Sequence, residues 1–452
     1  MSGLYEPLFR GILFPAYESL LRGRGTLGFL REYEANQWLD AERIAALQWQ
    51  RLSALIAHCW NNVPYYRQRW TAAGIGDPGD IRDVRDYARL PILTKQDIRD
   101  NFEALQARNL SDALLFKATG GSTGVPLRFG YTRESYERRV AVMWRGYGWA
   151  GSRIGRRTLY LWGGAVGNIS RTTVLKDGLY QAAFNRKMLN CFLMTEAGMP
   201  DYARQIERYA PEIVVSYVSP IVRLSRWMVD NGRQIKGISS VICGAETLHD
   251  FQKEVIEAAF PGAKAFNTYG CREVMLIASE CEHRNGLHIN ADHLLVEKAG
   301  SDGLGDEPGE LLLTDLGNYG MPFMRYLNGD VGVLEESRPC ACGRGLPLMK
   351  SVDGRRLDMI RSPDGRVLPG EFFPHMLKDV AGIRRFQVVQ SRLDALRLSI
   401  VAGPEFSAEQ ESYVRDEVAK MLGAGVRLEL QLVDDIPLTA TGKHRVTISE
   451  LQ

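Results

Sequence analysis

Residues 157–271 constrain the fold most, because short apolar runs and helical stretches take turns there. "RTLYLWGG" (157–164), "EIVVSYVSP" (212–220), "ISSVICGAE" (238–246) and "AKAFNTYG" (263–270) carry the β-branched and aromatic residues of buried strands. Between them, "MPDYARQIERYA", "IVRLSRWMVDNG" and "LHDFQKEVIEAAF" repeat apolar residues at helical spacing. Strand–helix repetition of this kind predicts an α/β fold whose sheets are mostly parallel, with helices layered on them. Ligands of such sheets bind at the carboxyl ends of the strands. Three of these strands end in polar or glycine-bearing residues, at 216–219, 244–246 and 269–273.

The flanks read differently. "LDAERIAALQWQRLSALIAHCW" (39–60) holds apolar residues at helical spacing without Gly or Pro, and Pro64 ends it. In "LPILTKQDIRDNF", Thr94 is placed to cap a helix with Asp97 in its first turn. Past residue 300 the runs become short strands with turns. The tail adds "FQVVQ", "ALRLSIVA", a helix over 407–422 and "VRLELQLV". We expect a large N-terminal layered α/β domain, residues 1–354, and a small C-terminal α+β domain, residues 355–452.

Charge narrows the function. Lys plus Arg minus Asp plus Glu is 56 − 54 = +2, which gives no electrostatic footprint for nucleic acid. No apolar run is long enough for a transmembrane segment. The amphipathic start, residues 1–25, carries Glu6, Arg10, Pro15 and Glu18 and reads as a surface helix rather than a signal peptide. Seven cysteines without an export signal fit a cytoplasmic chain with reduced or metal-bound thiols.

"KATGGSTGVP" offers backbone N–H groups and the hydroxyls of Thr119, Ser122 and Thr123 to anionic oxygens. It lacks the GK[ST] of a phosphate-loop NTPase and the dinucleotide fingerprint. "YGCREV" adds Glu273 just past a strand, "RYLNGD" adds Asp330 after a turn, and "PLTATGKHR" adds Lys443 near the end. Each alone reads as a surface group. Their set and order resemble the adenylate-forming ligases, which join acyl-CoA synthetases, luciferases and adenylation domains. The branch they resemble is that of phenylacetate-CoA ligases and capsule-biosynthesis adenylating enzymes. "GAET", "PFMRYLNGD", "DGRRLDMI", "NNVPYYR" and "LPILTKQDI" carry the likeness too, from about residue 55 onward.

The resemblance implies ATP-dependent activation of a small carboxylic acid to an acyl-adenylate, with pyrophosphate released, then transfer to CoA or another acceptor. It implies that Thr119, Gly120, Gly121, Ser122, Thr123 and Gly124 hold the β- and γ-phosphates. Gly244, Ala245 and Glu246 would line the adenine site, and Tyr269 and Gly270 would lie against the base. Glu273 would help hold Mg²⁺. Asp330, joined by Arg355, would accept from the ribose. Lys443 would reach the α-phosphate, and Asp358 marks the hinge of a mobile small domain. Two departures stand out: "VPLRF" places Leu127 and then Arg128 where the usual loop has a cation after its proline, and the hinge reads "RRLD". These lean toward the capsule-type branch. The acceptor stays open between CoA, an amine and a carrier protein, as does a non-catalytic nucleotide-binding role. A homodimer is compatible with the chain.

Cys281, Cys340 and Cys342 with His288, or with His283 in its place, can close a tetrahedral metal site, and the resembling branch has a similar Cys/His insertion. A structural Zn²⁺ is expected there.

Overall fold

The structure is a computed structural model that describes residues 5–119, 127–163, 178–246, 248–300, 308–335, 339–353, 360–368, 372–377, 380–423, 425–436 and 446–451. Strands β1 (Leu114–Ala118) and β2 (Arg128–Thr132) form an antiparallel hairpin of their own. Next come β3 (Thr158–Trp162), β4 (Arg186–Asn190), β5 (Ile213–Tyr217), β6 (Ser240–Gly244) and β7 (Lys264–Cys271). They are followed by β8 (Met275–Glu280), β9 (Leu287–Ile289), β10 (Leu294–Lys298), β11 (Gly309–Asp315), β12 (Tyr326–Leu334) and β13 (Leu348–Asp353). Among the described residues these eleven strands join in the order β10-β11-β12-β13-β9-β8-β7-β6-β5-β3-β4. After the small pair β14 (Ile360–Arg361) and β15 (Val367–Leu368), a second sheet holds β16 (Ile383–Arg392), β17 (Ala395–Ala402), β18 (Arg427–Leu432) and β19 (Thr447–Ser449), in the order β18-β17-β16-β19.

The main sheet is mixed, which corrects the expectation of a mostly parallel one. β4, β3, β5, β6 and β7 pair in parallel. Every pair from β7 to β10 is antiparallel. Connection length is the physical reason. The helices Met199–Tyr209, Val218–Asp230 and Asp250–Ala259 bridge the parallel strands, whereas β7 and β8 are separated by residues 272–274 alone. A parallel crossover needs a dozen or more residues.

Local chemistry places the helices. Asp40 caps the Ala41–Asn62 helix by accepting from Arg43 N at 2.8 Å, and Pro64 opens the next helix, Pro64–Ala72. Thr94 and Asp97 form a reciprocal capping box on Lys95–Asp100. β5 and β6 are buried along their whole length, as central strands covered on both faces must be. At the N-terminus, Phe9 and Phe14 pack edge-on against Phe184 at 5.3 and 5.4 Å, while Leu8, Ile12, Leu20 and Leu21 stay exposed. No helix among the described residues is long and apolar enough to cross a membrane.

A buried ionic network fastens the Arg133–Trp149 helix to the sheet. Arg145 grips both carboxylate oxygens of Asp292 at 2.7 Å and Asn290 Oδ1 at 2.7 Å. Arg139 holds Asp315 at 2.6 and 3.0 Å. His293 lies among them, with Nδ1 2.9 Å from the Tyr33 hydroxyl. Burial pushes the His293 pKa down from 6.5 to about 4. Its folded value lies below its unfolded one, so its stabilising contribution is complete above about pH 6.5 and is lost as pH falls through 4. Urea unfolding is expected to show up to about 3 kcal/mol of this loss, and His293→Gln should flatten that part of the slope. An unchanged slope in the variant would contradict the assignment.

Candidate functional site

The carboxyl ends of β3, β5, β6 and β7 meet on one edge. Tyr217 is in register with Gly244, and Cys243 with Asn267. Trp162 and Tyr217 lie ring to ring, with centroids 4.0 Å apart and planes tilted by 34°. A Cβ at Gly244 would come 3.0 Å from Thr268 Oγ1, so only glycine leaves that space open. Ala245 follows with φ 68°, a left-handed turn that aims the chain out of the sheet. Glu246 then accepts from Ser219 N at 3.2 and 3.3 Å and from the Ser219 hydroxyl. Ser219 lies in the first turn of Val218–Asp230, where unpaired N–H groups favour a carboxylate. Burial nevertheless raises the Glu246 pKa against these bonds.

β7 and β12 supply the second part. Three strands separate them in pairing order, but the antiparallel half curls over a core that includes Ile277, Leu311 and Met349. Tyr269 and Asp330 therefore touch: the Tyr269 hydroxyl donates to Asp330 Oδ2 at 2.9 Å. Asn328 Nδ2 donates to the same hydroxyl at 2.8 Å and to Asp330 Oδ2 at 2.6 Å. Glu273 is buried and accepts from the Tyr326 hydroxyl at 2.8 Å. Gly270 sits at a bulge, where a Cβ would land 2.3 Å from Met275 O. Burial pushes the Cys271 thiol well up, and the Glu273 and Asp330 carboxylates add to it. Cys271 is therefore a neutral thiol bordering the site rather than a nucleophile.

Tyr326 and Asn328 were not anticipated. They share a strand face with Asp330, at steps of two in "YLNGD", and that alternation was the available signal.

The hairpin β1–β2 brings the third part. Thr119 N donates to Leu127 O at 2.9 Å, and Leu127 N donates to Thr119 Oγ1 at 3.1 Å. The two ends of the glycine run are thus stitched together. Gly120, Gly121, Ser122, Thr123 and Gly124 lie outside the described residues, as do Arg355, Asp358 and Lys443. Leu127 is buried, and Arg128 rests on the rings of Phe102 and Phe116 at 5.0 and 4.5 Å.

Away from this edge, Cys281, His288, Cys340 and Cys342 bring one donor atom each within 4.8 Å of one another. Cys281 Sγ and Cys340 Sγ are 3.7 Å apart, and Cys342 Sγ is 3.3 Å from His288 Nε2. A disulfide needs about 2.05 Å, whereas two thiolates on one tetrahedral ion with bonds of about 2.3 Å lie about 3.8 Å apart. His288 Nδ1 is 3.0 Å from Leu346 O and must donate there, which leaves the Nε2 lone pair facing the three thiols, able to ligate a metal ion. His283 instead lines a neighbouring cavity of about 330 Å³ with Asn285, Pro339 and Ala341. Burial would raise the Cys342 thiol, but hydrogen bonds from Arg344 outweigh it and hold its pKa down.

Arg344 in turn lies near Trp38 and Trp149, at 5.1 and 5.2 Å from their rings. A Cβ on Gly345 would meet Leu39 O at 1.9 Å. The cysteine loop is thus docked tightly on the N-terminal helices. Cobalt(II) added to chelator-stripped chain is expected to give thiolate-to-metal absorption that saturates near one ion per chain and is lost in Cys342→Ser. No such absorption would remove the metal reading.

Residues 360–450 match the CapK C-terminal domain family. The phenylacetate-coenzyme A ligase of Thermus thermophilus is 29% identical over 399 residues, 84% of this chain and 87% of that one. Protein CapK of Staphylococcus aureus is 23% identical across 93% of this chain and 92% of its own. The crystal structure of 2-hydroxyisobutyryl-CoA ligase, in complex with 2-HIB-AMP and CoA, superposes with a TM-score of 0.60 at 20% identity, covering 92% of this chain and 91% of that one. That likeness gives the fold: a large mixed sheet and a small C-terminal sheet. Over most of its length the chain is similar to phenylacetate-CoA ligases and to CapK, and its C-terminal part matches the CapK C-terminal domain family.

Proposed function

We propose that the chain is an ATP-dependent acid–CoA ligase working through an acyl-adenylate. The observation that carries this reading is the joining of Tyr269, Asn328 and Asp330 across the curled sheet, next to the buried Glu273 and Tyr326. In the first step a carboxylate oxygen attacks the α-phosphorus of ATP, and the bond to pyrophosphate breaks. In the second, a thiol sulfur attacks the acyl carbon, the acyl–phosphate bond breaks, and AMP leaves with the electron pair. Both steps need fixed charge and position more than covalent help from the protein.

Asp330, oriented by Asn328, is poised to accept from ribose hydroxyls. Glu246 and the turn at Ala245 border the adenine. Glu273 would share in holding Mg²⁺, which favours carboxylate and phosphate oxygens. Thr119, with the glycine run at 120–124, cradles the β- and γ-phosphates. Trp162 and Tyr217 form an aromatic wall at the same edge, which suits a flat acid, as in the phenylacetate ligases to which the chain is similar. Residues 1–354 would form the large domain and 355–452 a small domain turning about Asp358, with Arg355 near the ribose and Lys443 on the small domain's adenylating face. The four donors at Cys281, His288, Cys340 and Cys342 fit a structural Zn²⁺, with no open position left for catalysis.

A second reading transfers the acyl group to an amine or a carrier protein. The match of residues 360–450 to the CapK C-terminal domain favours it, because that part would present the acceptor. Phenylacetate, ATP and Mg²⁺ should release AMP faster when CoA is added. AMP release indifferent to CoA would favour the second reading. Lys443→Ala is expected to lower adenylate formation about a hundredfold or more with melting temperature and ATP binding retained. Adenylation at the parent rate in that variant would overturn the role given to Lys443.

A further inference from the structure

We propose that Arg325 is a positioning residue for the carboxylate of Glu273, acting through Tyr326. The role rests on the adenylate-forming reading, in which Glu273 shares in holding Mg²⁺. Among the described residues six non-glycine residues have positive φ, and two of them flank the bond between Tyr326 and Glu273. Arg325, at φ 51°, directly precedes Tyr326, and Met275, at φ 63°, follows Glu273 by two residues. A left-handed backbone suits glycine and strains an arginine or a methionine. It persists only where its surroundings over-determine it, and such residues cluster at functional sites.

The surroundings of Arg325 meet that condition. Arg325 N donates to Thr314 Oγ1 at 2.9 Å, and the Tyr87 hydroxyl lies 2.6 Å from the same oxygen. Arg325 Nε donates to Glu297 Oε1 at 3.2 Å, and Nη1 donates to Leu90 O. The side chains of Arg325 and Glu297 are only 9% and 15% exposed, so water and salt screen this pair little. Arg325 O accepts from Leu93 N at 3.1 Å, and Leu327 N donates to Leu93 O at 2.9 Å. The peptide groups on both sides of Tyr326 are therefore fixed, and so is the root of its side chain.

The Tyr326 hydroxyl then donates to Glu273 Oε1 at 2.8 Å. A bond to one oxygen sets the plane of a carboxylate, and outer partners of this kind tune the affinity of a metal ligand. The Arg325 guanidinium is spent on Glu297 and Leu90 O, so it reaches Glu273 only through the tyrosine.

The test is calorimetric binding of ATP, with Mg²⁺ or with a chelator in its place, to the full chain, Tyr326→Phe, Arg325→Ala and the double variant. Each single variant should lower ATP affinity roughly tenfold with Mg²⁺ and leave it within about twofold with chelator. The double variant should lose no more than Tyr326→Phe alone, because both changes act through one hydroxyl. If Arg325→Ala does not fold, the pair Arg325→Ala/Glu297→Gln replaces it, which leaves no lone buried carboxylate. Losses that add in the double variant, or that are equal with and without Mg²⁺, would mark a general structural role and overturn the proposal. Unchanged variants, beside a parent that binds ATP more tightly with Mg²⁺, would overturn the role of Arg325 alone. A parent that binds no ATP, or gains nothing from Mg²⁺, would overturn the nucleotide and metal reading and this role with it.

Discussion

The hydrogen bond from Tyr269 to Asp330 is the tie on which the site depends. It joins the end of the parallel half of the sheet to a strand four places further along in the antiparallel half. That contact exists only because the antiparallel half curls, and the curl is supported by a packed interior from Ile277 to Met349. Asn328 then donates to both partners, so the buried phenol and the half-buried carboxylate are held as one hydrogen-bonded unit. Tyr326 treats Glu273 likewise, from the same strand face. One strand thus orients the groups proposed for ribose and for the metal.

The scaffold around this tie is built to resist movement. Arg145 and Asp292 are almost wholly buried and hydrogen-bonded on several sides, as buried charges must be. The cysteine–histidine cluster locks the β8–β9 turn to the loop before β13, and Gly345 lets that loop press directly on Leu39 O. Both devices lie away from the strand ends, which leaves the edge with Trp162, Tyr217 and Ala245 free to serve ligand chemistry. Phe192 on the large sheet side meets Phe372 at 5.2 Å, so apolar contact links the main sheet to the segment leading into the second one.

The parallel half was legible because its strands are buried on both faces and its helices carry clear periodicity. β3, β5 and β6 lie within the runs that marked them, and so does the helix Met199–Tyr209, while β7 runs one residue past its own. β4 was missed, since "RKMLN" is an edge strand whose exposed Met188 and basic residues break any apolar pattern. The antiparallel turn-back was missed for another reason: short connections decide strand direction, and the reading followed the strands rather than the links. The convergence of 216–219, 244–246 and 269–273 came from strand ends alone. Their partner Asn328 comes from β12, a segment distant in sequence, which one-dimensional periodicity does not reveal.

The central claim is that this edge activates a carboxylate on ATP. Acid-dependent exchange between ATP and labelled pyrophosphate, with Mg²⁺ and without CoA, tests it most directly across aryl, fatty, amino and sugar acids. The account predicts exchange with one class of acid and none without acid. A chain that binds ATP yet exchanges with no acid in the panel would contradict it.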